Sequence, residues 1–218
     1  KPMVKIGKKP IIWHIMKYFS FYGYNEFVIC LGYKGSVIKN YFSQYDIFNN
    51  DFTVDLSDNS KKYHTNHDEK NWKVTLIDTG LNTLKGARLN KIKDYLEDEI
   101  NIVTYGDGIS NININNLLKF HSEHKKTLTI SGVRPPARFG EIIEKNNEIL
   151  TFEEKPQTSI GLINGGFMVF NKKLFQYLNS DDDCDLEVGP LQELTRKNEA
   201  MVYKHSGSWE CMDHERDV

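Results

Sequence analysis

The run Ile102-Val103-Thr104-Tyr105, followed at once by Gly106-Asp107-Gly108, constrains this 218-residue chain more than any other stretch. Its apolar, β-branched residues predict a buried strand, and the glycine on either side of Asp107 ends it abruptly. A carboxylate at the carboxyl end of a central strand sits where open α/β sheets take their ligands, and small neighbours let a phosphate or metal ion approach the backbone. The same seven residues also fit a tight turn in which Asp107 bonds only its own backbone.

The chain around them is 39% hydrophobic, enough for one globular domain with a full core. A formal net charge of -2 offers no broad basic surface, which disfavours a nucleic-acid partner. Cys30, Cys184 and Cys211 are widely spaced, with no C-x-x-C, so neither a disulfide framework nor a zinc site is expected, and a reducing cytoplasm fits. No apolar run approaches the ~18 residues that span a bilayer, and no signal-peptide core opens the chain, so no membrane partner is expected.

Periodicity orders the elements. A helix is expected from Pro10, with Ile11, Ile12, Ile15, Met16 and Phe19 on its core face and Gly23 at its end. A strand at 27–31 leads through Gly32-Tyr33-Lys34-Gly35 into a helix with Val37, Ile38, Tyr41, Phe42 and Tyr45 on one face. Residues 46–71 read as a polar surface excursion with weak strand character at 52–56, and His64 and His67 beside Asp68 read as solvated rather than metal-bound. A strand at 72–77 ends in Asp78-Thr79-Gly80, and a helix follows Gly86 through Ile92, Tyr95 and Leu96. After Asp107, a helix carries Ile114, Leu117, Leu118 and His121, with His124 one turn on; both histidines are assigned to packing and surface roles. Residues 127–133 form a strand, and Asn146-Asn147 is the two-residue turn of a hairpin. The strand at 162–170 opens with Asn164, Gly165 and Gly166, which suggests that a ligand or another backbone comes close. Helices are expected near 172–178 and 190–197, the acidic run 181–185 as a solvated loop, and a short strand at 201–205.

Strands alternating with helices over 25–133 give the fold class α/β, a doubly wound, mostly parallel, Rossmann-like sheet with a mixed edge and a β-hairpin extension. Lys1, Thr79, Arg88, Asp107, Arg138, Lys155 and Asp213 then gather at strand ends, where packing does not require them. Two carboxylates among several cations suit a divalent metal escorting phosphates.

The ordered motifs resemble a family. Residues 1–11, Gly106-Asp107-Gly108, Phe139-Gly140, Glu154-Lys155-Pro156, Asn164-Gly165-Gly166-Phe167 and the stretch from Trp209 to Asp213 are similar to the sugar-1-phosphate nucleotidyltransferases. Trp13-His14-Ile15-Met16, Gly32-Tyr33-Lys34-Gly35, Asp78-Thr79-Gly80, Thr104 to Gly108 and Pro136 to Gly140 resemble its cytidylyltransferase branch. The resemblance implies a single domain over 1–218, with the family's opening strand and G-x-G-T-R loop falling before Lys1 and its carboxyl-terminal end beyond Val218. It implies CTP and glucose 1-phosphate as substrates, Mg²⁺ as cofactor, a hairpin that serves the sugar, and assembly as a homo-oligomer. Carried over by position, Lys1 and Asp107 are catalytic, and Asp107 and Asp213 hold the metal. Glu154 and Lys155 address the sugar phosphate, Gly140, Asn164 and Gly165 line the hexose pocket, and Thr79, Gly80, Gly86 and Arg88 read base and ribose. His214 and Ala87 depart from the family pattern, which bears on substrate detail more than on reaction class. Two other readings stay open: the same chemistry with another sugar or nucleotide, and a non-catalytic sugar-nucleotide-binding homologue.

Overall fold

The computed structural model describes residues 1–134, 141–145, 147–153 and 161–212. In chain order the elements are β1 (Lys5–Ile6), β2 (Lys9–Pro10), α1 (Ile11–Phe21), β3 (Glu26–Leu31), α2 (Gly35–Ser43), α3 (Tyr45–Asn49), β4 (Phe52–Asp55), β5 (Ser60–Tyr63) and β6 (Lys73–Asp78). They continue with α4 (Lys85–Lys91), β7 (Ile100–Val103), β8 (Gly108–Ser110), α5 (Ile114–His124), β9 (Leu128–Val133), β10 (Glu141–Lys145) and β11 (Glu148–Glu153). The last are β12 (Ile163–Asn171), α6 (Pro190–Arg196), β13 (Ala200–Lys204) and β14 (Trp209–Cys211). No helix among the described residues is long and apolar enough to cross a membrane.

The chain divides into two compact units. The first comprises Lys1–Ile15, Asp98–Tyr177 and Leu191–Val218. Its main sheet has the order β13-β9-β12-β7, with β13 parallel to β9 and β12 antiparallel to both neighbours. The antiparallel strand therefore lies inside the sheet, where the sequence reading puts the mixed directions at an edge. Local periodicity does not encode strand direction, so only the pairing decides this point. Phe167, Met168, Val169 and Phe170 of β12 are all buried, as are Leu128 and Val133 of β9 and Ile114 and Leu117 of α5, a helix that packs on both strands. Each such side chain contributes roughly 1.5–3 kcal/mol of burial. A separate ladder pairs β14 with β8, and β10 with β11 forms the expected hairpin, whose turn residue Asn147 has φ +67°.

The second unit comprises Met16–Glu97 and Leu178–Pro190, around the parallel pair β3 and β6. Its expected second helix is broken: α2 buries no residue, Val37 is 46% exposed, and Gln44 separates α2 from α3, where Tyr45 is buried. The polar excursion is organised as the β4–β5 hairpin. α4 ends at Lys91 and passes into a 3-10 turn over Lys93–Tyr95, so Tyr95 is exposed rather than packed on a continued helix. A 3-10 turn over Lys172–Tyr177 likewise stands where an α-helix is expected.

Candidate functional site

In the first unit, Gly106 sets the geometry. A Cβ there would come within 3.0 Å of Pro2 Cγ, so the missing side chain lets Pro2 lie over the backbone beside Asp107. The first N–H groups of a helix have no intrahelical partner. Here Ile12 and Ile11 donate theirs to the carbonyls of Pro2 and Val4, at 3.0 and 2.9 Å, which pins the opening residues to the start of α1. Lys1 Nζ consequently stands 3.4 Å from Asp107 Oδ2, and both side chains reach solvent, 48% and 25% exposed.

The surroundings of Asp107 tie it to the expected sugar-side residues. Its carbonyl accepts the Met212 N–H at 2.8 Å, and Cys211 of β14 stands opposite Gly108 of β8. On the same strand, Trp209 donates its Nε1–H to the Gly165 carbonyl at 2.7 Å. The Tyr105 ring covers Gly166, where a Cβ would lie 2.7 Å from Cδ2, and the Tyr105 hydroxyl accepts from Asn164 Nδ2 at 3.2 Å. Lys1, Asp107, Asn164 and Gly165 thus belong to one cluster, joined by Pro2, Tyr105 and Trp209, which the sequence reading did not name as site residues. The close approach expected at the glycines of β12 is made by the protein itself: a Cβ on Gly165 would meet Val133 Cγ1 at 2.6 Å and the Ser131 carbonyl at 3.0 Å. Asp213 follows Met212 in sequence and, with Arg138, Gly140, Glu154 and Lys155, lies outside the described residues.

The second unit holds the other expected residues at the carboxyl ends of β3 and β6. The Leu31 carbonyl accepts from Thr79 N–H at 3.0 Å, from the Thr79 hydroxyl at 2.9 Å and from Arg88 Nη1 at 2.9 Å. Arg88 also donates to Thr79 Oγ1 at 2.6 Å and to the Leu81 carbonyl at 3.4 Å. A Cβ on Gly32 would lie 2.7 Å from Arg88 Nη2, so only glycine leaves the guanidinium its place. Gly80, at φ +106°, donates its N–H to Asp78 Oδ1 at 3.0 Å. Gly86 packs on Cys184, whose Sγ a Cβ would approach to 2.8 Å. Thr79 and Gly86 are therefore buried parts of the loop's framework, whereas Gly80 and Arg88 keep partial exposure. Cys30 donates its thiol to the Arg88 carbonyl at 3.8 Å, and burial pushes that thiol up to about 11, which keeps it protonated and unreactive.

His121 and His124 take the packing and surface roles expected of them and His64 is exposed, whereas His67, expected in solvent, has a side chain only 10% exposed and packed edge-on against Tyr45. His64 bonds Thr53 Oγ1 at 2.8 Å, and His67 bonds Asp46 Oδ1 at 2.8 Å. His121 and His124 both bond the hydroxyl of Thr129, at 2.9 and 2.7 Å. Among the described residues, no group of three or more His, Cys, Asp or Glu side chains could hold a metal ion.

Residues 1–213 match the model of the nucleotidyl transferase family. The chain is 40% identical over 218 residues to glucose-1-phosphate cytidylyltransferase of Salmonella typhimurium, covering 100% of this chain and 84% of that protein. It is also 40% identical over 213 residues to a Bacillus subtilis protein named "Probable glucose-1-phosphate cytidylyltransferase", covering 98% of this chain and 83% of that one. Among solved structures, HddC from Yersinia pseudotuberculosis complexed with GMP-PN matches with a TM-score of 0.66 at 20% identity, over 99% of this chain and 85% of that chain. That likeness identifies the fold as Rossmann-like α/β.

Proposed function

This chain belongs to the nucleotidyl transferase family, and from that membership we propose that it joins CTP and α-D-glucose 1-phosphate into CDP-glucose, with release of pyrophosphate. The observation that carries this reading is 40% identity to the Salmonella enzyme across the whole chain. In the reaction, a phosphate oxygen of the sugar phosphate attacks the α-phosphorus of CTP. The new P–O bond forms as the bond to the β-phosphate breaks, and pyrophosphate leaves. The attacking oxygen is ionised near neutral pH, so the chain need supply no base; its work is positioning and charge stabilisation.

Each assigned residue then has a task. The ammonium of Lys1, held beside Asp107, neutralises phosphate charge that grows as the leaving bond breaks. The oxygen donors of Asp107 fit a hard divalent cation, which typically takes one or two carboxylates and completes its shell with water and phosphate oxygens. Asp107 and Asp213 would hold Mg²⁺, and the hydrogen bond from Met212 to the Asp107 carbonyl supports that pairing. When bound, the ion lowers the charge on the phosphates. Glu154 and Lys155 address the sugar phosphate, Gly140, Asn164 and Gly165 the hexose, and the loop of Thr79, Gly80, Gly86 and Arg88 the base and ribose, with Thr79 and Gly86 as its buried frame. The odd, widely spaced set Cys30, Cys184 and Cys211, with no C-x-x-C, supports a cytoplasmic setting.

The test uses the full-length protein that contains this chain, with Mg²⁺, glucose 1-phosphate and, in turn, CTP, UTP, GTP and dTTP, while pyrophosphate release is followed. Release with CTP alone is expected. Release with another nucleotide would overturn the base assignment, and a folded protein silent with all four would overturn the activity.

A further inference from the structure

The acidic run that the sequence marks as a solvated loop is fastened to the proposed nucleotide loop. Asp182 Oδ1 accepts from Lys91 Nζ at 2.6 Å and from the Thr83 hydroxyl at 2.8 Å. The same Lys91 Nζ donates to the Thr79 carbonyl at 3.0 Å and to Thr83 Oγ1 at 3.2 Å. α4 has no side-chain cap, and two N–H groups at its start are satisfied from the same segment: Leu84 N–H binds the Asp182 carbonyl at 2.7 Å and Ala87 N–H binds the Cys184 carbonyl at 3.0 Å. Asn90 Nδ2 adds a bond to Ser180 Oγ at 2.8 Å. Residues 180–184 are thus strapped along α4, and the carboxylate of Asp182 is the point from which the strap reaches the loop. The hydrogen bonds from Lys91 and Thr83 hold that carboxyl below the usual aspartate range, so it stays ionised throughout the neutral region.

We propose that Asp182 is a positioning residue for the nucleotide: acting through Lys91, it fixes the Thr79 carbonyl and the Thr79-Gly80 turn in the orientation that presents the loop to the base. Arg88 holds the Thr79 side chain, and Lys91 holds the Thr79 main chain. Without Asp182, the Lys91 ammonium keeps its carbonyl partner but loses the anchor that aims it. The peptide between Thr79 and Gly80 can then rotate, because Gly80 is tolerant of the change. Asp182 and Lys91 are both partly exposed, so the pair adds little to folding stability, and its loss reports on placement rather than on the core. The inference rests on the cytidylyltransferase reading and on the assignment of Thr79 and Gly80 to the base.

Steady-state kinetics on the full-length enzyme test it. Asp182→Ala is expected to raise KM for CTP roughly tenfold, to leave KM for glucose 1-phosphate within about twofold of the parent, and to narrow the preference for CTP over UTP. Asp182→Asn keeps an acceptor for Lys91 and Thr83 and should recover most of the loss. Lys91→Met should reproduce the defect, and the Asp182→Ala/Lys91→Met double variant should be no worse than either single one, because the two act as one unit. An unchanged KM for CTP, equal rises in both KM values, or additive losses in the double variant would overturn the proposal. The parent enzyme separates the two readings: if it fails to turn over CTP, the activity assignment falls and takes this inference with it, whereas an active parent with an indifferent Asp182→Ala overturns the inference alone.

Discussion

Asp107 is reached by Lys1 because Gly106 has no side chain, and Pro2 fills the space that results. An ion pair this exposed contributes only about 0–1 kcal/mol to stability, and in the mechanism we propose its part is to meet phosphate and metal. Asp107→Asn should therefore cut kcat by at least about 100-fold while the thermal midpoint stays close to the parent's. Near-normal turnover in a folded variant would sink the metal and catalytic assignment. The shared hydroxyl of Thr129 shows what a residue-scale hydrogen-bond count decides. Lys126 N–H donates to His124 Nδ1 at 2.9 Å, so neutral His124 carries its proton on Nε2 and donates it to Thr129. The Thr129 hydroxyl, with one proton and two lone pairs, also bonds His121 Nδ1, so the count fixes the tautomer of His124 alone.

At the scale of elements, β12 joins core to site. Its buried residues Met168 to Phe170 pair regularly with β7 and β9, and the register shifts between Asn164 and Met168, where the two glycines lie. Such an irregularity re-aims a strand end, here bringing Asn164 to Tyr105. Gly166 has φ +80° and the Tyr105 ring against it, so Gly166→Ala should destabilise the protein by about 1–3 kcal/mol and displace the ring. Denaturant unfolding measures the first effect, and an unchanged midpoint would show that the ring yields freely. Where the sequence reading and the elements part, the cause is tertiary. α2 has an apolar stripe by periodicity, yet the fold leaves it on the surface of its unit, whereas Tyr45 is drawn inward by its hydroxyl bond to buried Glu69 at 3.2 Å.

For the whole molecule, buried His121 sets an acid limit. Burial, and secondarily the neighbouring His124, pushes His121 down to about 4 from its ordinary 6.5. The unfolded chain takes up that proton near 6.5 and the folded chain only near 4, so stability is lost as pH falls through that window, by up to about 3 kcal/mol. Thermal midpoints measured from pH 7 to 4 should decline, and an imidazole resonance of His121 that titrates above pH 6 would contradict the account. Much of this molecule is legible without coordinates, because local periodicity and turn chemistry encode it: α1, the strand ending at Asp78, the strand that stops at Val103 ahead of Asp107, and the β10–β11 hairpin follow from residues close together in the chain. The glycine patterns around Asp107, Asn164 and Gly165 are local too, and they are what marks these positions in the sequence as candidates for a site. What no local pattern carries is the pairing of distant segments. The antiparallel course of β12 between β9 and β7, the seat of Pro2 on Gly106, and the bond between Lys91 and Asp182, 91 positions apart, exist only once chain folding has closed long loops and brought the partners within reach.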